Sequence, residues 1–177
     1  MAKLTFGLQQ TLDGYVDHQN MRPGPALFRF FIEHVRSLSG AIYGRHTYEI
    51  MRYWDDDQAD WDAEERDFAA AWRNLPKWVV SRSLKSVGPN ATLVGEDVQG
   101  AIRELKARLT GVIDMAGPDL AQRLADSGLI DEYRLYFRPV VRGQRGTPFF
   151  AGPVPSLRLV SVDTVAEDAV RLVYVPA

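Results

Sequence analysis

Short apolar runs and helix-period segments take turns along this chain, and that alternation limits the fold more than any other feature. Leu4 to Leu8, Ala41 to Tyr43, Lys77 to Ser81, Ala91 to Val94 and Gly111 to Met115 read as strands. Between them lie segments whose apolar residues recur every three or four positions. The first runs from Ala26 to Leu38 with Leu27, Phe31, Val35 and Leu38 in register. Phe28, Phe30 and Ile32 widen its apolar face, so it is expected to be well buried. The next starts near Asp62 and carries Phe68, Trp72 and Leu75. A third bears Val98, Ile102, Leu105 and Leu109, and a fourth Leu120 and Leu124. Asp97 is placed to cap the third, while Ser39-Gly40, Pro76 and Gly128 stop the first, second and fourth. The loop Asn20 to Pro25 holds strong breakers. Glu132 to Val141 reads as a long strand. Leu157 to Val165 and Ala169 to Val175 read as a closing hairpin about Glu167-Asp168. Strands alternating with helices predict an α/β fold: a largely parallel sheet covered on both faces, with the hairpin adding antiparallel strands at one edge. With no internal repeat, residues 1–177 read as one domain.

Composition removes several functions. The net charge is −2 with no basic block, so the electrostatic footprint of a nucleic-acid binder is missing. There is no cysteine, which excludes disulfides, thiol nucleophiles and cysteine-bound metals. His18, His34 and His46 are too scattered for a metal-ligand spacing. The aspartates from Asp55 to Asp62 lack the glycine and terminal glutamate of a calcium loop. No metal site is expected. No run approaches the ~18 apolar residues of a membrane span. The N-terminus has no leader pattern, so a cytoplasmic location is expected.

In sheets of this kind ligands sit beyond the carboxyl ends of the strands, and three strand ends carry suitable chemistry. At Tyr43-Gly44-Arg45-His46-Thr47 a strand stops at a glycine where a helix should begin, and a cation and a hydroxyl follow. Free backbone N–H groups there, with Arg45 and Thr47, suit a phosphate or pyrophosphate; a tight turn is the plainer explanation. Val80-Ser81-Arg82-Ser83 places a hydroxyl and a guanidinium just past a strand, where a 2′-phosphate or plain solvent would be met. Met115-Ala116-Gly117-Pro118-Asp119-Leu120 combines small residues with a helix start, which lets a ligand approach the backbone or lets strand and helix pack closely.

Taken together and in this order, these motifs resemble the cofactor-binding turns of the dihydrofolate reductase superfamily. Leu12-Asp13-Gly14-Tyr15-Val16 is similar to a signature of its riboflavin-type reductase branch. So are Ser127-Gly128-Leu129-Ile130-Asp131-Glu132, Arg138-Pro139-Val140-Val141-x-Gly143 and Gly146-Thr147-Pro148-Phe149-Phe150. Ala116-Gly117 stands where that superfamily has a Gly-Gly pair. The resemblance implies a dihydrofolate reductase-like three-layer fold and NADPH-dependent reduction of a small polar, heterocyclic substrate. It implies that Gly44, Arg45, His46 and Thr47 hold phosphate and ribose, and that Ser81 and Arg82 meet the 2′-phosphate. Ala116, Gly117, Pro118, Asp119 and Leu120 would line the pyrophosphate and nicotinamide side, and Leu8, Gln9 and Val16 would lie near the nicotinamide. Leu27 and Phe31 would shape the substrate wall. Asp13, Asp17 and Arg138 are the candidate polar or catalytic contacts; Asp-Gly is also an ordinary turn pair, and Arg138 could equally face water.

One departure bears on mechanism. Dihydrofolate reductases carry a carboxylate just after Pro-Ala on the first helix, and here Pro25-Ala26 is followed by Leu27. Leu27 can neither pair with a pterin nor deliver a proton. Dihydrofolate reduction is therefore disfavoured. Two alternatives stand beside the leading reading: the 5-amino-6-(5-phosphoribosylamino)uracil reductase of riboflavin synthesis, and a non-catalytic nucleotide binder of the same fold. The branch is commonly dimeric, and the alternating apolar residues of the closing hairpin predict a homodimer that covers it.

Overall fold

The computed structural model describes residues 1–17 and 21–177 of the chain. His18 and Asn20, singled out above, lie outside the described residues. Eight strands form one sheet: β1 (Lys3–Gln10), β2 (Gly40–Gly44), β3 (Lys77–Val80), β4 (Ala91–Val94), β5 (Val112–Ala116), β6 (Glu132–Phe137), β7 (Leu157–Ala166) and β8 (Ala169–Pro176). The helices are α1 (Pro25–Ser37), α2 (Arg45–Met51), α3 (Ala63–Asn74), α4 (Val98–Arg108) and α5 (Pro118–Leu124). The spatial order is β4-β3-β2-β5-β1-β6-β8-β7. β4 through β6 run parallel, and the β7–β8 hairpin joins β6 antiparallel at one edge, as the pattern predicts.

Side chains alternate across the sheet and build two cores. Leu4, Phe6, Ile42, Ile113 and Met115 face one side and pack with Ile102 and Leu105 of α4 and Leu120 and Leu124 of α5. Ala41, Tyr43, Val79 and Ala116 face the other and pack with Ile32 of α1 and Phe68 and Trp72 of α3. Local chemistry sets the helix ends. Asp62 and Glu65 form a reciprocal capping box at the start of α3. Asp97 accepts from the Gly100 amide at 2.9 Å to cap α4. At the end of α3, buried Lys77 donates to the carbonyls of Trp72 and Leu75, both at 2.7 Å, and so closes the helix that Pro76 interrupts.

Two expectations need correction. The sixth strand stops at Phe137 rather than Val141. Pro139 has no N–H to give, and the Val140 amide turns back to the Arg138 carbonyl at 2.8 Å. In α1 only Leu27 and Ile32 are fully buried. Phe28, Phe30 and Phe31 are half-covered and meet other aromatics: Phe28 stacks on Phe68, and Phe31 meets Tyr136 edge-on.

Candidate functional site

β3, β2 and β5 are neighbours, so Val80, Gly44 and Ala116 end side by side. The segments that leave them enclose a cleft of about 440 Å³. Gly44, Arg45, His46 and Thr47 form one wall, Ser81 and Arg82 a second, and Gly117, Pro118, Asp119 and Leu120 a third. Ten of the expected cofactor residues thus meet in one place, although they come from three distant parts of the chain.

Backbone geometry explains why the walls come so close. Gly117 has φ +128°, a conformation that L side chains rarely adopt. A Cβ there would stand 3.4 Å from the Gly44 amide nitrogen and 3.5 Å from Thr47 Oγ1. Ala116 does not join the cleft lining; it is buried in the core shared with Tyr43. Ser81 folds its own loop, its Oγ accepting from the amides of Ser83 at 3.2 Å and Leu84 at 3.0 Å. Arg45 has a loose, solvent-exposed partner in Glu49 at 3.5 Å. Among the described residues Arg82 has no ion-pair partner.

Four lining residues were not among the named contacts: Val80 and Ser83, which flank Ser81 and Arg82 in the strand-end motif, and Arg123 and Thr147. Helical spacing could have found Arg123, which lies one turn beyond Asp119 and Leu120. Thr147 lies in the Gly146 to Phe150 run that carries the resemblance, but nothing in that run marks it as a cleft residue, because long-range bonds hold it there. The Val16 amide donates to the Thr147 carbonyl at 2.8 Å, and Asp17 accepts from the Thr147 amide at 2.8 Å and from its hydroxyl at 3.2 Å.

The other expected residues lie elsewhere. Leu8, Gln9 and Val16 are outside the cleft lining, with Leu8 and Val16 packed against the cores. Leu27 is buried. Asp13 accepts from the amides of Arg142 and Gly143, each at 3.0 Å. Hydrogen bonds from Thr11, Arg142 and Gly143 hold its carboxyl down to about 2. Asp17, besides Thr147, faces Arg142 at 3.4 Å. Arg138 is not the water-facing arginine of the plainer reading; it is 4% exposed. Its guanidinium donates to Gln9 Oε1 at 2.8 Å, the Met21 carbonyl at 3.2 Å and Asp168 at 2.7 Å, which leaves its Nε buried without a partner.

A polar cluster under α1 was also missed. Asp114 accepts from the Thr5 hydroxyl at 2.6 Å and faces His34 Nε2 at 3.3 Å. His34 is a half-buried residue of α1 whose ring meets this cluster. Nearby Tyr136 is buried with an unpartnered hydroxyl, and burial pushes its phenol up to about 12. Among the described residues no group of acidic and histidine side chains could hold a metal ion, and no helix is long and apolar enough to cross a membrane.

The model of the RibD C-terminal domain family matches residues 2–171. The chain belongs to that family. One curated relative, the uncharacterized protein YyaP of Bacillus subtilis (strain 168), is 24% identical, covering 97% of this chain and 94% of its own. Among solved structures, a putative riboflavin biosynthesis protein from Shewanella sp. PV-4 superposes with TM-score 0.74 at 21% identity, covering 100% of this chain and 99% of that one. Dihydrofolate reductase from Enterococcus faecalis, complexed with NADP(H) and RAB-propyl, superposes with TM-score 0.67 at 14% identity, covering 98% and 95%. The RibD C-terminal domain thus has the dihydrofolate reductase fold here, with a mixed eight-stranded sheet and a C-terminal antiparallel pair.

Proposed function

We propose that this protein is an NADPH-dependent oxidoreductase for a small polar, heterocyclic substrate. The observation that carries the proposal is the cleft at the ends of β2, β3 and β5. It brings Arg45, His46, Thr47, Ser81 and Arg82 around a glycine whose missing Cβ leaves the backbone open to a ligand. That donor set fits a phosphorylated dinucleotide: backbone and hydroxyl donors for pyrophosphate, and an unpaired guanidinium for a 2′-phosphate. When bound, the cofactor supplies the hydride. The chain's own part is to grip the phosphates at Gly44 to Thr47 and Gly117 to Leu120. That grip fixes the cofactor between the walls of the cleft.

The fold relatives support this reading, since a dihydrofolate reductase of the same architecture binds NADP(H). A second reading, nucleotide binding without turnover, draws on a specific observation. The dihydrofolate reductase carboxylate position is the buried Leu27, and Asp13 and Asp17 are both occupied in loop bonds. Steady-state NADPH oxidation across a panel of heterocycles separates the two. The proposal includes a homodimer through the exposed Leu159, Val160 and Val162 of β7. Light scattering should give twice the 19.9 kDa chain mass, and a clean monomer would rule it out.

Cofactor choice is tested at Arg82. A hydrogen bond to a charged group contributes roughly 1.5–3 kcal/mol, so Arg82→Ala should weaken NADPH binding by about 10- to 100-fold and leave NADH nearly unchanged. Equal losses for both cofactors by calorimetry would reject the assignment.

A further inference from the structure

The cleft does not end at its third wall. A second compartment of about 300 Å³ lies beyond it, and the two share Val80, Leu120 and Arg123. Their charges differ. The first compartment is lined by Arg45, His46, Arg82 and Arg123 against a single acid, Asp119. The second carries Glu96 and Asp97 beside apolar Val98 and Leu124, and its Arg103 already donates to Gln99 at 3.0 Å.

This distribution sorts a nucleotide by charge. A phosphate dianion is repelled from the compartment of Glu96 and Asp97 and held on the near side of the shared wall. Arg123 is the cation on that wall. It is exposed, and among the described residues it has no ion-pair partner. Arg45 keeps only the loose, exposed contact with Glu49 at 3.5 Å. The cations left unpaired at this end are therefore Arg82, from the loop after β3, and Arg123, from α5. Two guanidiniums lining one cleft can hold one phosphate between them, each offering a fork of donors.

We infer that Arg123 is a specificity-determining residue, which reads the 2′-phosphate of NADPH jointly with Arg82. The inference rests on the proposed cofactor reading and names the residue that makes it selective. It also places the phosphorylated adenosine at the Arg82 and Arg123 end of the cleft, with the pyrophosphate at Gly117 to Leu120.

The test uses the adenosine end alone. Calorimetry compares adenosine 2′,5′-bisphosphate with adenosine 5′-monophosphate on wild type, Arg123→Gln, Arg123→Lys and Arg66→Gln. The last makes the same charge change on exposed α3. The wild-type preference for the bisphosphate should fall by roughly 10-fold or more in Arg123→Gln, the scale of one hydrogen bond to a charged group. Affinity for the monophosphate should stay within about twofold. Arg123→Lys keeps the charge without the fork, so it should retain part of the preference, and Arg66→Gln should retain all of it. Thermal unfolding of each variant confirms that it is folded. An intact preference in Arg123→Gln, or equal loss of both ligands, overturns the role of Arg123 and leaves the cofactor site standing. A wild type with no preference for the bisphosphate overturns the NADPH reading itself.

Discussion

The two halves of the sheet use their polar residues in opposite ways. At the ends of β2, β3 and β5, polar side chains converge on a cleft, and several have no partner or a loose one. Arg82 and Arg123 are unpaired among the described residues, and Arg45 has only a distant glutamate. At the ends of β1 and β6 they are spent on the fold. Arg138 ties Gln9, Met21 and Asp168 together, and Asp13 and Asp17 pin the segment from Arg142 to Thr147. A cation without an ion-pair partner at the cleft points to a ligand, whereas a buried one held by two side-chain acceptors and a carbonyl points to architecture, even with its Nε left over. Variants on the first side should therefore change binding, and variants on the second should change stability.

The largest effect expected on the binding side comes from Gly117→Val. Valine is strained at φ +128°, and its side chain would press on the Gly44 amide and Thr47. With two charge-assisted contacts disturbed at about 1.5 kcal/mol each, NADPH affinity should fall on the order of 100-fold. Calorimetry on the folded variant reads this directly. Near wild-type affinity would mean that phosphates do not pass between these walls, and the contrast between the two halves would collapse.

On the other side, Arg138→Leu should leave nucleotide affinity within about threefold and lower stability instead. Removing one member of a buried ion pair costs about 3–5 kcal/mol. Asp168 is 41% exposed, which brings the expectation down to about 2 kcal/mol. For a chain of this size that is a fall in Tm of about 4–8 °C. A variant that keeps its Tm and loses NADPH binding would place Arg138 in the site rather than in the frame.

How legible the two halves were in the sequence follows from the same difference. The cleft residues sit in runs that begin at strand ends, and the glycines and proline that turn the chain advertise those runs. Gly44 to Thr47, Ser81 with Arg82, and Gly117 to Leu120 read locally as turns with suitable donors, the family resemblance made them candidates, and the parallel sheet places β3, β2 and β5 together. Long-range partners left no such mark. Nothing around Thr147 announces that Asp17 will carry it into the cleft, and nothing around His34 announces Asp114, because each contact depends on two segments far apart in the chain. Asp13, Asp17 and Arg138 were picked out for being polar in loops or near a strand end. Spacing could not show that backbone and neighbouring side chains engage the two carboxylates and the terminal nitrogens of the guanidinium. The strand end at Phe137 was missed for a similar reason: apolar Val140 and Val141 continue the pattern, but Pro139 cannot continue the ladder.

The gentlest probe of the contrast is acid. If Asp13 is a clamp, its carboxylate must stay ionised well below the ordinary value of 3.8. The bonds from Thr11, Arg142 and Gly143 lower it to about 2. For a carboxylate lowered in this way, the stabilising contribution is fully present above 3.8 and fades as pH falls through about 2. Between pH 6 and 3, then, the amide resonances of Arg142 and Gly143 should hold their positions, because the group they donate to keeps its charge. Asp13→Asn offers one acceptor oxygen in place of two, so one of these amides should lose protection from hydrogen exchange while NADPH affinity stays unchanged. Two amides that titrate together with a midpoint near 3.8 would mean that the bonds do not hold Asp13. That would return its carboxylate to the set of groups free to serve as a proton donor.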